Sequence, residues 1–157
     1  MISITRDLIE FYGIDDCLPI DPKNFKQINI EDEAYVPIQK PDIEQIVKVY
    51  STAEIKTYKV ISTPKGTSLE GVRLTGHKLI VEGEIKYKIQ YVADSKTQSV
   101  HTFHYSSPFM SFVILSEKFS PTAFLTVSTF VEDIYINQID CRSVYLNTTL
   151  LITAESC

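Results

Sequence analysis

The chain has 157 residues, 44% of them hydrophobic and 22% charged, with a formal net charge of -5. That length suits a domain able to bury its own core, and the apolar content excludes a disordered chain. The acidic balance, with Lys interspersed among Glu and Asp, excludes nucleic acid as the main partner, because phosphate binding needs a concentrated basic face.

No apolar run reaches the roughly 18 residues of a membrane span. The opening Met1–Asp7 lacks the basic segment and apolar stretch of a secretory signal, so synthesis in the cytosol is expected. In residues 1–14, Ile4, Leu8, Phe11 and Tyr12 recur at helical spacing and Gly13 is a stop signal, which predicts a short helix. Residues 15–43 are punctuated by Pro19, Pro22, Pro37 and Pro41 and carry the acidic run Glu31-Asp32-Glu33. They read as an extended arm with at most one short strand near Phe25–Ile30, placed to wrap over the domain or reach a neighbour. Residues 1–43 are thus an N-terminal helix and arm, and 44–157 a β-domain.

From residue 44 the hydrophobic period is two. Val47, Val49, Ala53 and Ile55 alternate with polar neighbours. The clearest strand is 79–91, with Leu79, Val81, Ile85 and Ile89 on one face and Glu82, Glu84, Lys86 and Lys88 on the other. Gly83 falls mid-strand on the apolar face, the position of a bend or bulge. Two strands follow at 98–105 and 109–115, separated by Ser106-Ser107-Pro108. A strand over 123–139 changes phase at Glu132-Asp133, as a β-bulge does. The last strand spans 143–153. Turn chemistry at Pro64-Lys65-Gly66, Ala93-Asp94-Ser95, Ser120-Pro121 and Ile139-Asp140 separates these elements. About six to eight strands with one wet and one dry face, and no helical spacers, predict an all-β fold. It is an antiparallel β-sandwich with an N-terminal arm carrying a short helix.

The residue types that carry catalysis do not converge in the sequence. His101 and His104 point to opposite faces of a strand, and His77 is remote from both, so no metal ligand set forms. The glycines at 66, 71, 76 and 83 match no phosphate loop. Cys141 has no local base to make it a nucleophile. No catalytic residue, cofactor or metal is expected. Interaction surfaces are expected instead, at Ile4, Leu8, Phe11 and Tyr12 on the predicted helix. A second set is Phe103, Tyr105 and Phe109, in an aromatic segment read as populating both strand phases and so exposing at least one ring.

The cysteines are Cys17, Cys141 and Cys157, an odd number with no C-x-x-C spacing. Two readings stay open: free thiols in a reducing cytosol, or exposed thiols that cross-link copies of the chain, Cys17 to Cys157 or Cys141 of another copy. The turn position of Cys141 beside Arg142 predicts a lowered thiol pKa.

Several segments carry a family resemblance. They are Lys40–Val49, Val60–Gly71, Leu74–Glu84, Tyr91-Val92-Ala93-Asp94 followed by Gln98–His101, Phe109–Leu115 and Val131–Tyr135. Together they resemble the SPOCS domain of clostridial spore-coat morphogenesis proteins such as SipL, over roughly residues 1–155. The resemblance implies spore-envelope assembly through protein–protein contacts, and no catalysis. Such proteins also carry a C-terminal peptidoglycan-binding LysM module, which is not seen here, so wall anchoring is not carried over.

Two functions are consistent with this. The first is a structural subunit that self-assembles into a coat, exosporium layer or surface fibre. The second is a monomeric adaptor for a spore-coat morphogenetic ATPase. A carbohydrate-binding or hydrolytic reading is weakened by the absence of Trp. The partners expected are other copies of the chain or spore-coat proteins. The final location expected is the spore coat, exosporium or surface.

Overall fold

A computed structural model describes residues 2–120 and 124–156. Among them there are eight strands and no helix: β1 (Ile2–Arg6), β2 (Ile9–Ile14), β3 (Phe25–Tyr35), β4 (Ile43–Thr67), β5 (Arg73–Ala93), β6 (Val100–Ile114), β7 (Leu125–Gln138) and β8 (Ser143–Ser156). They form a five-stranded sheet in the order β1-β2-β4-β5-β6 and a three-stranded sheet in the order β3-β8-β7. One hydrophobic core joins both sheets, built on Val49, Ile85, Ile89 and Phe103 from the larger and Ile134, Leu146, Leu150 and Ile152 from the smaller.

The predicted N-terminal helix is a β-hairpin. Arg6 pairs with Ile9, and Asp7 and Leu8 form the two-residue turn at φ +49° and +68°. Positive φ at both central residues is the type I′ geometry that matches strand twist. Ile9, Phe11 and Ile14 are buried, while Leu8 is 79% exposed. Burial therefore follows the strand, and the helical spacing of Ile4, Leu8 and Phe11 is incidental. The arrangement is also not wholly antiparallel, because β2 runs parallel to β4, Glu10 beside Lys48 and Tyr12 beside Tyr50. Gly13, at φ +107°, holds this junction, since a Cβ there would lie 2.1 Å from the Ser51 carbonyl oxygen.

The segment read as an arm contributes β3, an 11-residue strand paired along its whole length with β8. Its inward phase is Lys26, Ile28, Ile30, Asp32 and Ala34, so charged residues occupy core-facing positions of an edge strand, a device that blocks edge-to-edge pairing. Asp32 accepts a hydrogen bond from Ser107 Oγ at 2.8 Å and one from the Tyr105 hydroxyl, which ties β3 to β6 in the other sheet. Partial burial pushes the Asp32 carboxyl up, but these donors and the Glu33 N–H hold it below its ordinary value. One rung deeper, Tyr87 hydrogen-bonds Thr148 between the sheets, and burial pushes its hydroxyl up to about 12.

On the opposite side, Asp15 closes the gap between the sheets. Its N–H donates to the Val131 carbonyl at 2.9 Å, and its carboxylate accepts from the Val131 N–H at 2.7 Å. Val131 borders the register shift at Glu132-Asp133, where the sequence phase changes. Gly83 also behaves as its position predicts. A Cβ there would strike the Glu54 carbonyl oxygen at 2.3 Å and the Phe109 ring at 2.7 Å, and β4 shifts register opposite it.

Two further boundaries differ. Ser106-Ser107-Pro108 does not divide a strand, because β6 runs unbroken from Val100 to Ile114. Pro64-Lys65-Gly66 lies inside β4, with Pro64 at a register shift, and the chain reverses only at Ser68–Val72 around Gly71 (φ +88°). The Pro121 of the predicted Ser120-Pro121 turn is outside the described residues.

Candidate interaction surfaces

The β4–β5 hairpin outruns the body of the protein. β6 ends at Ile114, opposite Lys78, and beyond that rung β4 and β5 continue as a two-stranded ribbon. Every residue from Pro64 to Leu74 is exposed. Leu69 is fully exposed, Val72 is 49% exposed and Leu74 36%. The ribbon's base is tied down by the Leu115 N–H to His77 carbonyl bond, the Thr75 hydroxyl on the Leu115 carbonyl, and an Arg73–Glu117 ion pair. The ribbon carries Lys65 and Arg73, with Lys78 at its first rung, against Glu70, and Lys56 and Lys59 lie on β4 just below it, where Glu82 faces Thr57.

The outer face of the three-stranded sheet is the electrostatic opposite. β7 and β8 contain no Lys or Arg, and the one in β3, Lys26, sits in the inward phase with its ammonium 4.9 Å from the Phe112 ring centre. Outward from this sheet point Glu31, Glu33, Tyr35, Tyr145 and Tyr135, and Glu132-Asp133 form the bulge. Tyr35 and Tyr135 are exposed, and Tyr135 meets Tyr145 edge to face at 6.3 Å. Arg6 reaches over from β1 to Asp133 at 2.8 Å, and Gln27 of β3 donates across β8 to the Glu132 carboxylate at 2.9 Å. Glu33 accepts the Tyr35 hydroxyl, which pushes that phenol's pKa up.

The outer face of the five-stranded sheet is self-compensated. Lys56 and Lys86 interleave with Glu54 and Glu84 at 3.1–3.5 Å, and the Lys56 and Lys86 hydrogen bonds hold the Glu54 carboxyl below its ordinary value. Tyr12 stacks on Tyr50 at 4.7 Å, with Lys88 over the Tyr50 ring. At the end of the body, Arg142 donates to the carbonyls of Val36, Pro37 and Lys40 and to Asp42, pinning the loop between β3 and β4.

The residues singled out from sequence separate sharply here. Phe11, Phe103 and Phe109 are 3%, 1% and 8% exposed and belong to the chain's own core. Phe103, Tyr105 and Phe109 share one strand phase, so the aromatics do not alternate. The exposed outward phase of β6 includes His104, Met110 and Phe112. Ile4 and Tyr105 are partly buried against the core, and Tyr12 is half-buried in its stack on Tyr50. Leu8 alone of the set is broadly exposed. Tyr35, Tyr135 and the ribbon leucines were not singled out, although the outward phase of a strand is readable once its register is known.

Cys17 and Cys141 are free and exposed, and Cys157 is outside the described residues. Cys141 follows β7 and its carbonyl accepts the Ile43 N–H, whereas Asp15, two residues before Cys17, clips Val131. Val131 and the end of β7 are about seven residues apart, roughly 25 Å, so the two thiols are anchored at separate points along β7. The Cys141 thiol is pushed up rather than down, by desolvation and by Asp42 and Asp140, because the Arg142 guanidinium is engaged by Asp42 and the 36–42 loop.

Among the described residues no group of His, Cys, Asp and Glu could hold a metal ion, and no helix is long and apolar enough to cross a membrane. The family model for the SipL SPOCS domain matches residues 42–139. That is more than half of the chain, though narrower than the resemblance over roughly residues 1–155, and it spans β4 to β7. The chain is a member of the SPOCS-domain family, which associates it with sporulation and spore-coat assembly. Neither the curated proteins nor the solved structures gave a match.

Proposed function

We propose that this SPOCS-domain protein is a non-enzymatic structural subunit of the spore envelope that assembles with copies of itself. The observation that carries this is the ribbon, whose tip from Pro64 to Leu74 is exposed throughout, with only the Arg73–Glu117 ion pair tying it back to the body. A two-stranded hairpin is marginal in water by itself, so exposed Leu69, Val72 and Leu74 gain most from a second protein surface. The histidines support a non-catalytic reading. His77 packs on Phe119, His101 stacks on Tyr91, and His104 lies on the outer face opposite Lys88. The protein is made in the mother-cell cytosol and ends in the coat, exosporium or surface layer. There the exposed Cys17 and Cys141, with Cys157, cross-link neighbouring copies. An adaptor for a coat-assembly ATPase is the competing role.

Sedimentation velocity of the purified chain with and without reductant tests this. Species larger than the 17.9 kDa monomer in both conditions support self-assembly, and loss of the largest species on reduction supports the cross-links. A monomer under both conditions overturns the subunit reading.

A further inference from the structure

We infer that the chain assembles head to tail, the basic β4–β5 ribbon of one copy docking on the acidic, tyrosine-bearing outer face of the three-stranded sheet of the next. This deepens the self-assembly reading above and rests on it. Three observations converge. The outer part of the β4–β5 hairpin is basic, with Lys65 and Arg73 on the ribbon, Lys78 at its first rung and Lys56 and Lys59 on β4 just below it, against Glu70 at the tip and Glu82 at the base, in a chain whose net charge is -5. The receiving sheet has no Lys or Arg in β7 or β8 and presents Glu31 and Glu33 outward. Each surface carries the apolar material a dry contact needs: Leu69, Val72 and Leu74 on the ribbon, and Tyr35, Tyr135 and Tyr145 on the sheet.

Charge already settled within the chain sharpens the match. Lys56 is held by Glu54 and Glu84, and Arg73 by Glu117, while Arg6 takes Asp133. Lys65 on the ribbon and Lys59 just below it have no ion pair among the described residues, and neither do Glu31 and Glu33 on the sheet. The outer face of the five-stranded sheet is a poorer receiver, because its carboxylates are already interleaved with lysines. Complementary potentials of this kind fix which surfaces meet and disfavour the like-charged alternatives. The two surfaces differ, so the contact is heterologous. It closes into a ring or propagates as an open fibre according to the rotation between copies.

Two charge-reversed chains test the pairing: K59E/K65E with the outer part of the hairpin made acidic, and E31K/E33K with a basic sheet face. All four positions are exposed, so both variants keep the wild-type melting temperature. Each alone juxtaposes like charges and is expected to sediment as monomer where the wild type assembles. Mixed in equal amounts they are complementary at both contacts and reassemble as alternating copies. Assembly of either variant alone at the wild-type size overturns the pairing while leaving self-assembly intact. So does a mixture that stays monomeric. A wild-type chain that is itself monomeric defeats the self-assembly reading, and with it this one.

Discussion

The body of this protein and its ribbon are made of the same strands but obey different accounts of stability. Along β5 the residues Ile85, Tyr87, Ile89 and Tyr91 are buried at every second position, locked by strands on both sides and a second sheet above. At its start, Arg73 and Leu74 on the same strand pair with β4 alone, and their side chains are exposed apart from the Arg73–Glu117 ion pair. A strand's local pattern therefore says little about its contribution to folding. What decides is whether a third strand and an opposing sheet cover it. The body holds the ribbon in position, and the ribbon is free to be optimised for something other than the monomer's stability.

The largest effect expected belongs to the body. Ile85→Ala removes a fully buried side chain at the centre of the core and should cost about 2–5 kcal/mol in chemical denaturation. An unchanged denaturation midpoint would mean that the two sheets do not share this core. The glycines give the next contrast. Gly13→Ala places a Cβ 2.1 Å from the Ser51 carbonyl oxygen at a positive φ and should cost about 3 kcal/mol. Gly66→Ala, in the ribbon with nothing within 4 Å, should leave the melting temperature where it was.

A smaller effect separates the regions by pH. Tyr87 is buried between the sheets with its pKa pushed up to about 12, from an ordinary value of 10.0. The neutral phenol is favoured by folding, so its contribution is fully present below pH about 10 and is lost as pH rises towards the folded value. At 1.36 kcal/mol per unit, this one group removes at most about 3 kcal/mol across that window. Denaturant midpoints measured from pH 8 to pH 12 should fall above pH 10, and fall less steeply in Tyr87→Phe. An equal slope in the variant would assign the alkaline loss to other groups.

The sequence made the body's alternating strands legible because burial on one face imposes a period of two, as in 79–91 and in the phase change at Glu132-Asp133. It hid the elements whose chemistry runs against their geometry. Leu8 at positive φ gives no turn signal, so β1 and β2 resembled a helix. Lys26 and Asp32 occupy inward positions of β3, so its alternation did not read as apolar-in and polar-out, and Asp32 is affordable there only because Tyr105 and Ser107, far away in sequence, solvate it. The interaction surfaces were the least legible part. Phe103 and Phe109 look like anchors in sequence, and only packing against the opposite sheet and Gly83 reveals them as core.

The smallest effect on folding is also the most diagnostic. Leu69→Ser with Leu74→Ser changes two exposed ribbon side chains that contribute nothing to the monomer's core. Surface changes of this kind stay within about 0.5 kcal/mol, so the denaturation midpoint of the monomer should not move. Association should weaken, because the apolar surface that a second copy would cover is gone. Calorimetry under dilute monomeric conditions and sedimentation at assembling concentrations read the two consequences separately. A fall in both would place the ribbon within the monomer's cooperative unit, whereas a change in neither would show the exposed leucines to be bystanders. Unchanged folding with weakened association is the outcome a body and an independently usable ribbon require.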